Sequence, residues 1–131
     1  MIEISQEEKN KIAELILKLG FVPTGFLEKG INYYIEEYKR LVKASENNIY
    51  NESAGYEEYT NDIVVRTIIE TVIDAVSNET KKKILEVIEP FDNKLRRTFR
   101  HEGKFILNKR LVKKFPERKY WWYWGGPYPK F

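Results

Sequence analysis

Arg96 and His101 are the two residues whose types and spacing come nearest to an active site. A histidine exchanges a proton near neutral pH, and an arginine beside it steadies charge on a phosphate. They sit in one basic run, Leu95-Arg96-Arg97-Thr98-Phe99-Arg100-His101. A histidine closing a helix also has a plain explanation, since its cation opposes the negative end of the helix dipole. His101 is the single histidine and there is no cysteine. Multi-histidine metal sites, thiolate zinc ligands, cysteine nucleophiles and disulfides are therefore excluded. Glu70 and Asp74 lie four apart and could share a cation, but Arg66 is equally well spaced to pair with Glu70. Gly20, Gly25 and Gly30 recur at spacing five without the strand–turn–helix setting of a phosphate loop. No catalytic residue, metal or cofactor is expected on this reading. The chain looks built to bind rather than to convert.

The Arg96–His101 spacing also resembles the Arg-x4–6-His signature of HEPN ribonucleases, which are small helical bundles. That resemblance implies the alternative: a nucleic-acid-binding or nucleic-acid-cleaving domain, and, if an enzyme, a ribonuclease using Arg96 and His101. The basic residues Arg96, Arg97, Arg100, Lys104, Lys109, Arg110, Lys113, Lys114, Arg118 and Lys119 alternate with aromatics able to stack on bases, which would serve the same end.

Charge is unevenly placed along the 131 residues. Residues 1–79 hold 8 Lys/Arg and 15 Asp/Glu, a net −7, and residues 80–131 hold 15 and 5, a net +10. Such asymmetry marks a partner surface, or two halves that neutralise each other. With 42% hydrophobic and 33% charged residues the composition is globular. A cysteine-free chain suits a reducing compartment. Its acidic start, Met1 to Glu8, is unlike a signal peptide, and no segment reaches the ~18–20 apolar residues of a membrane span, so a cytoplasmic protein without membrane attachment is expected.

The elements that must position these residues are helices. Ser5 and Glu8 form a capping-box pattern ahead of Ile12, Leu15, Ile16 and Leu19, with Gly20 and Pro23 as stops. A second helix starts near Thr24 to Phe26 and buries Ile31, Tyr34, Ile35, Tyr38, Leu41 and Val42. Ser45 to Gly55 reads as a loop. The spacing predicts a third, central helix from about Tyr56 to Val76, apolar nearly all round. Ser77 or Asn78 caps a fourth, in which Ile84, Ile88, Phe91, Leu95 and Phe99 hold one phase, and Pro90 predicts a kink or a break. Beyond Gly103, Lys104 to Leu107 suggests a short strand, Leu111 to Phe115 a turn of helix, and Tyr120 to Trp124 an extended segment. The expected fold is mainly α: a single domain, 1–131, made of a compact bundle of four to five helices, with an irregular or short-strand aromatic tail, about 104–131, packed on it.

The tail Tyr120-Trp121-Trp122-Tyr123-Trp124 is either an anchor for the bundle or an aromatic hot spot for a partner, with alternate rings serving each end. Together with Pro90-Phe91-Asp92-Asn93-Lys94-Leu95-Arg96-Arg97-Thr98 and the following Gly125-Gly126-Pro127, it resembles the C-terminal third of cytoplasmic immunity proteins of bacterial polymorphic toxin systems. The resemblance implies a protein that binds and neutralises one toxin, and it maps Asp92, Arg96, Thr98, Trp121, Trp122 and Pro127 as a structural signature. The expected partner is a basic toxin domain. The residues expected to meet it are Glu36, Glu37, Glu57, Glu58 and Asp62 on the acidic helices, with Trp121 and Trp124 from the tail. Nothing in the sequence fixes the oligomeric state.

Overall fold

The computed structural model describes residues 1–47, 49–51, 55–99 and 105–127. The chain is mainly helical, and the described residues form five α-helices: α1 (Gln6–Lys18), α2 (Thr24–Glu46), α3 (Gly55–Asp62), α4 (Val64–Ala75) and α5 (Asn78–Thr98). Short 3-10 turns lie at Ile49–Asn51, Lys109–Leu111 and Trp121–Tyr123. The helices distribute into two compact units, each built from two stretches of chain: Met1–Lys39 with Val65–Phe91, and Arg40–Val64 with Asp92–Phe131. We call them unit 1 and unit 2.

In unit 1, the Ser5 hydroxyl accepts from the Glu8 amide at 3.1 Å, and the Glu8 carboxylate accepts the Ser5 amide at 3.0 Å. This closes the expected capping box and opens α1. The Gly20 amide donates to Leu17 O and the Phe21 amide to Ile16 O, the two bonds of a Schellman ending. The buried stripe Ile12 and Ile16 shares the core of this unit with Ile31, Ile35, Ile69, Val72, Ile84 and Ile88. Helix α4 is buried on most of its circumference, as its pattern predicts. Its one buried cation, Arg66, is 4% exposed, bonds Glu70 at 3.1 Å and lies 5.8 Å from the Tyr38 ring centre. Helix α2 is interrupted inside this unit. Gly30 adopts φ 77° and ψ 174°, a conformation closed to other residues, so helical geometry stops and restarts at Ile31.

Five expectations meet a different outcome, in whole or in part. The third helix is two: α3 ends at Asp62, α4 begins at Val64, and the two belong mostly to different units. The β-branched run Ile63-Val64-Val65 marks the junction, where side chains crowd the preceding turn. Of the kink or break expected at Pro90, the break does not occur. Helix α5 runs through it, because its missing donor faces the carbonyl of Glu86, an exposed residue on the side open to water. Ser45 and Glu46 are still helical, and the expected loop after them contains a 3-10 turn. Phe105 to Leu107 form no strand; a single backbone bond, Ile106 amide to Tyr123 O at 2.8 Å, replaces it. The tail likewise is not extended but turned, with the Trp124 amide bonded to Trp121 O at 3.0 Å. Of the two tail forms expected, irregular and short-strand, the described residues take the irregular one.

Candidate functional site

Unit 2 is organised by aromatic rings. Tyr50 meets Tyr59 edge-on at 5.7 Å, Tyr59 meets Phe99 at 6.1 Å, and Phe99 meets Trp121 at 5.5 Å. The series continues through Trp122, Tyr120 and Phe115, the last pair at 5.0 Å and 88°, and then through Tyr123 to Phe105 and Trp124. Edge-to-face contacts of this kind each contribute ~0.5–1.5 kcal/mol beyond the area they bury. Trp122, Tyr123, Phe115, Tyr59 and Tyr50 are fully or nearly fully buried, so the tail belongs to the core of this unit.

Buried rings with polar tips need partners, and here the partners fix α3. The Tyr59 hydroxyl donates to the Trp122 carbonyl at 2.7 Å. The Tyr50 hydroxyl donates to the Asp62 carboxylate at 2.6 Å, which ties down the far end of the same helix. Burial pushes the Tyr50 phenol far above the ordinary tyrosine range, and the bond to Asp62 and the charges of Asp62 and Glu58 push it the same way. At its start, Gly55 packs so closely on Tyr50 that any Cβ there would overlap the Tyr50 carbonyl. With its start and both phenol-bonded positions so held, α3 leaves Glu57 and Glu58 exposed, and neither makes an ion pair among the described residues.

The residues of the signature are bonded within this unit. The Arg96 guanidinium lies 4.4 Å from the Trp121 ring centre. Thr98 donates to the Leu95 carbonyl at 2.8 Å and shares a short hydrogen bond with Ser45. Trp122 is the acceptor for Tyr59, Pro127 is buried and Asp92 is half-buried. Trp121 and Trp124 are half-buried rather than presented, and the Trp124 indole donates to the Phe115 carbonyl at 2.9 Å. Both thus pack within unit 2 while keeping part of their surface exposed.

The structure brings Glu57, Glu58 and Asp62 together on α3 but places Glu36 and Glu37 in unit 1. Glu36 is exposed and paired with Lys39 at 3.1 Å, and Glu37 is half-buried. Glu70 is held by Arg66, as its spacing allowed, and Asp74 is exposed. Among the described residues no group of three His, Asp or Glu could hold a metal ion, and no helix is long and apolar enough to cross a membrane. His101 lies outside the described residues, as do Arg100 and Lys104. Tyr50 and Tyr59 were not singled out in the sequence. Their role depends on a carboxylate twelve residues away and a backbone carbonyl sixty-three residues away, and a carbonyl has no sequence signal.

No family model, curated protein or solved structure matches the chain.

Proposed function

We propose that this chain is a non-catalytic binding protein that neutralises a basic protein partner in the cytoplasm, as the bacterial immunity proteins resembled by its C-terminal third do. The observation that carries the reading is α3: a short acidic helix tied down at Tyr59 and Asp62 by buried phenols, with Glu57 and Glu58 facing solvent and unpaired among the described residues. A preordered element loses little conformational entropy on binding. Uncancelled carboxylates on it speed encounter with a cationic surface and discriminate against anionic ones. The signature residues fit this reading as internal supports. Arg96, Trp121 and Trp122 build the aromatic wall against which Tyr59 is bonded, and so they act on the partner only through α3.

The test uses the protein encoded immediately upstream as the candidate partner. Association is followed by stopped flow at low and high salt. Glu57→Lys with Glu58→Lys should slow association at least about tenfold at low ionic strength, and the difference should shrink as salt screens the charges. An association rate unchanged by the double reversal would remove α3 from the interface.

A further inference from the structure

Residues 109–118 concentrate positive charge in very little chain. Lys109, Arg110, Lys113, Lys114 and Arg118 lie within ten positions, with Glu117 as the single acid. The local fold keeps them close. The segment is a succession of tight turns: Leu111 amide to Asn108 O at 2.8 Å, Lys114 amide to Leu111 O at 2.9 Å, and Tyr120 amide to Pro116 O at 2.9 Å. The Asn108 side chain opens the first of them by accepting the Arg110 amide at 3.0 Å.

These turns are held from beneath. Phe115 is fully buried against the rings of Tyr120 and Tyr123, and its carbonyl accepts a hydrogen bond from the Trp124 indole N–H. All five cations are exposed, and none makes an ion pair among the described residues. Five like charges so close together repel one another, a cost that an anionic ligand removes.

We propose that this turn segment is a second binding surface, one that takes the phosphate backbone of nucleic acid without reading its sequence. The charge alone admits three occupants: an acidic protein, an anionic membrane or a polyphosphate chain. The first two need more than charge. A protein interface draws affinity from buried aromatic and apolar anchors, and a membrane surface from apolar side chains that insert. Among the described residues the exposed large hydrophobics lie elsewhere, at Met1, Leu17, Val22, Leu27, Tyr33, Ile49 and Leu85, and the segment contributes none. Leu111 and Val112 are half-buried and Phe115 is covered. What remains is attraction that grows with the number of phosphates met, by release of their condensed counterions. Base stacking is not part of the proposal, because the Trp121 face carries the Arg96 guanidinium. The surface is independent of the α3 reading, and its sign is opposite.

Fluorescence anisotropy of a labelled, mixed-sequence single-stranded RNA of about twelve nucleotides tests it. Five contacts predict that log affinity falls against log salt with a slope of about −3 to −4 between ~50 and ~200 mM salt. Lys113→Glu with Lys114→Glu should weaken binding at least about tenfold and flatten the slope by about 1.5–2. Arg110→Gln with Arg118→Gln supplies a second, milder pair, and the tail tryptophan fluorescence shows that each variant is folded. Glu57→Lys with Glu58→Lys should bind RNA as well as the parent or better. The proposal is overturned by no binding at ~50 mM salt, or by binding that both basic pairs leave intact. It is also overturned if vesicles rich in phosphatidylserine bind as tightly as RNA and are lost in the same variants, which would make the surface a membrane contact. Loss of the α3 association effect with retention of RNA binding would reject only the toxin-inhibitor reading.

Discussion

Tyr59→Phe isolates one hydrogen bond and leaves the packing in place. The phenylalanine ring keeps the edge contacts to Tyr50 and Phe99, at 5.7 and 6.1 Å, and only the bond to the Trp122 carbonyl is deleted. Tyr59 and Trp122 are both 0% exposed, so water does not reach the site freely to replace the lost donor. A buried neutral hydrogen bond lost in this way costs about 1–2 kcal/mol. For a cooperative unit of 60–100 residues, each kcal/mol lowers the melting midpoint by about 4–8 °C. All three tryptophans lie in residues 121–124, so selectively excited tryptophan fluorescence reports on unit 2 alone. The fluorescence midpoint should therefore fall by roughly 5–15 °C. Amide exchange along α3 should accelerate about five- to thirtyfold. Tyr59→Ala, which also removes the ring, should cost about 3–5 kcal/mol. If Tyr59→Phe melts within a degree of the parent while Tyr59→Ala is strongly destabilised, α3 is held by packing. The hydrogen bond would then have no part in presenting Glu57 and Glu58.

Ile69→Asp places an unpaired charge at a fully buried position of α4 and should abolish cooperative melting of unit 1 by circular dichroism, since such burial costs several kcal/mol. The raised Tyr50 phenol means that the folded state holds a proton the unfolded chain releases near pH 10. Its stabilisation is complete below that pH and is lost as pH rises above it. Tyr50→Phe should flatten the fall in melting temperature between pH 9.5 and 11 by about one proton's worth of slope. Glu8 behaves in the opposite sense. Its carboxyl is held below the ordinary range by the amide and hydroxyl of Ser5 and the amide of Ser77, so its contribution is present above about pH 4.5 and fades as pH falls. Glu8→Gln should remove that part of the acid sensitivity in a melting series from pH 6 to 3. Arg96→Ala and His101→Ala are expected to abolish no RNA cleavage, because the purified protein should show none. Cleavage lost in both variants would install the ribonuclease reading instead.

Much of unit 1 is legible in the sequence because its helices bury one face each and carry explicit stops. The Ser5–Glu8 box, the stripe from Ile12 to Leu19 and the burial of most of α4 follow from spacing. The Gly30 interruption does not, since a glycine inside a helical period is read only as a weak position until its φ is known. The division at Ile63 is hidden for a related reason: Tyr59, Ile63, Ile68 and Ile69 are all buried, so the apolar pattern runs on while the core it serves changes. In the tail, every residue from Tyr120 to Trp124 is a large aromatic, so alternation carries no contrast between inside and outside. The acidic site was half visible. Glu57, Glu58 and Asp62 share α3 as their spacing implies, whereas grouping them with Glu36 and Glu37 of α2 depends on how two helices pack, which spacing within a helix does not give.

The interleaving of the two units along the chain also sets an order of events on the ribosome. All of unit 1 has been synthesised once Phe91 is made. Residues 40–64 are then already present, but the rings that receive them, Phe99 and Trp122 among them, are not. The nascent chain therefore carries Tyr50 and Tyr59 uncovered for the time needed to add some thirty further residues, a few seconds at ~5–20 residues per second. During that interval the acidic excursion is the vulnerable part of the molecule. The last aromatic cluster to emerge is the one that ends its exposure.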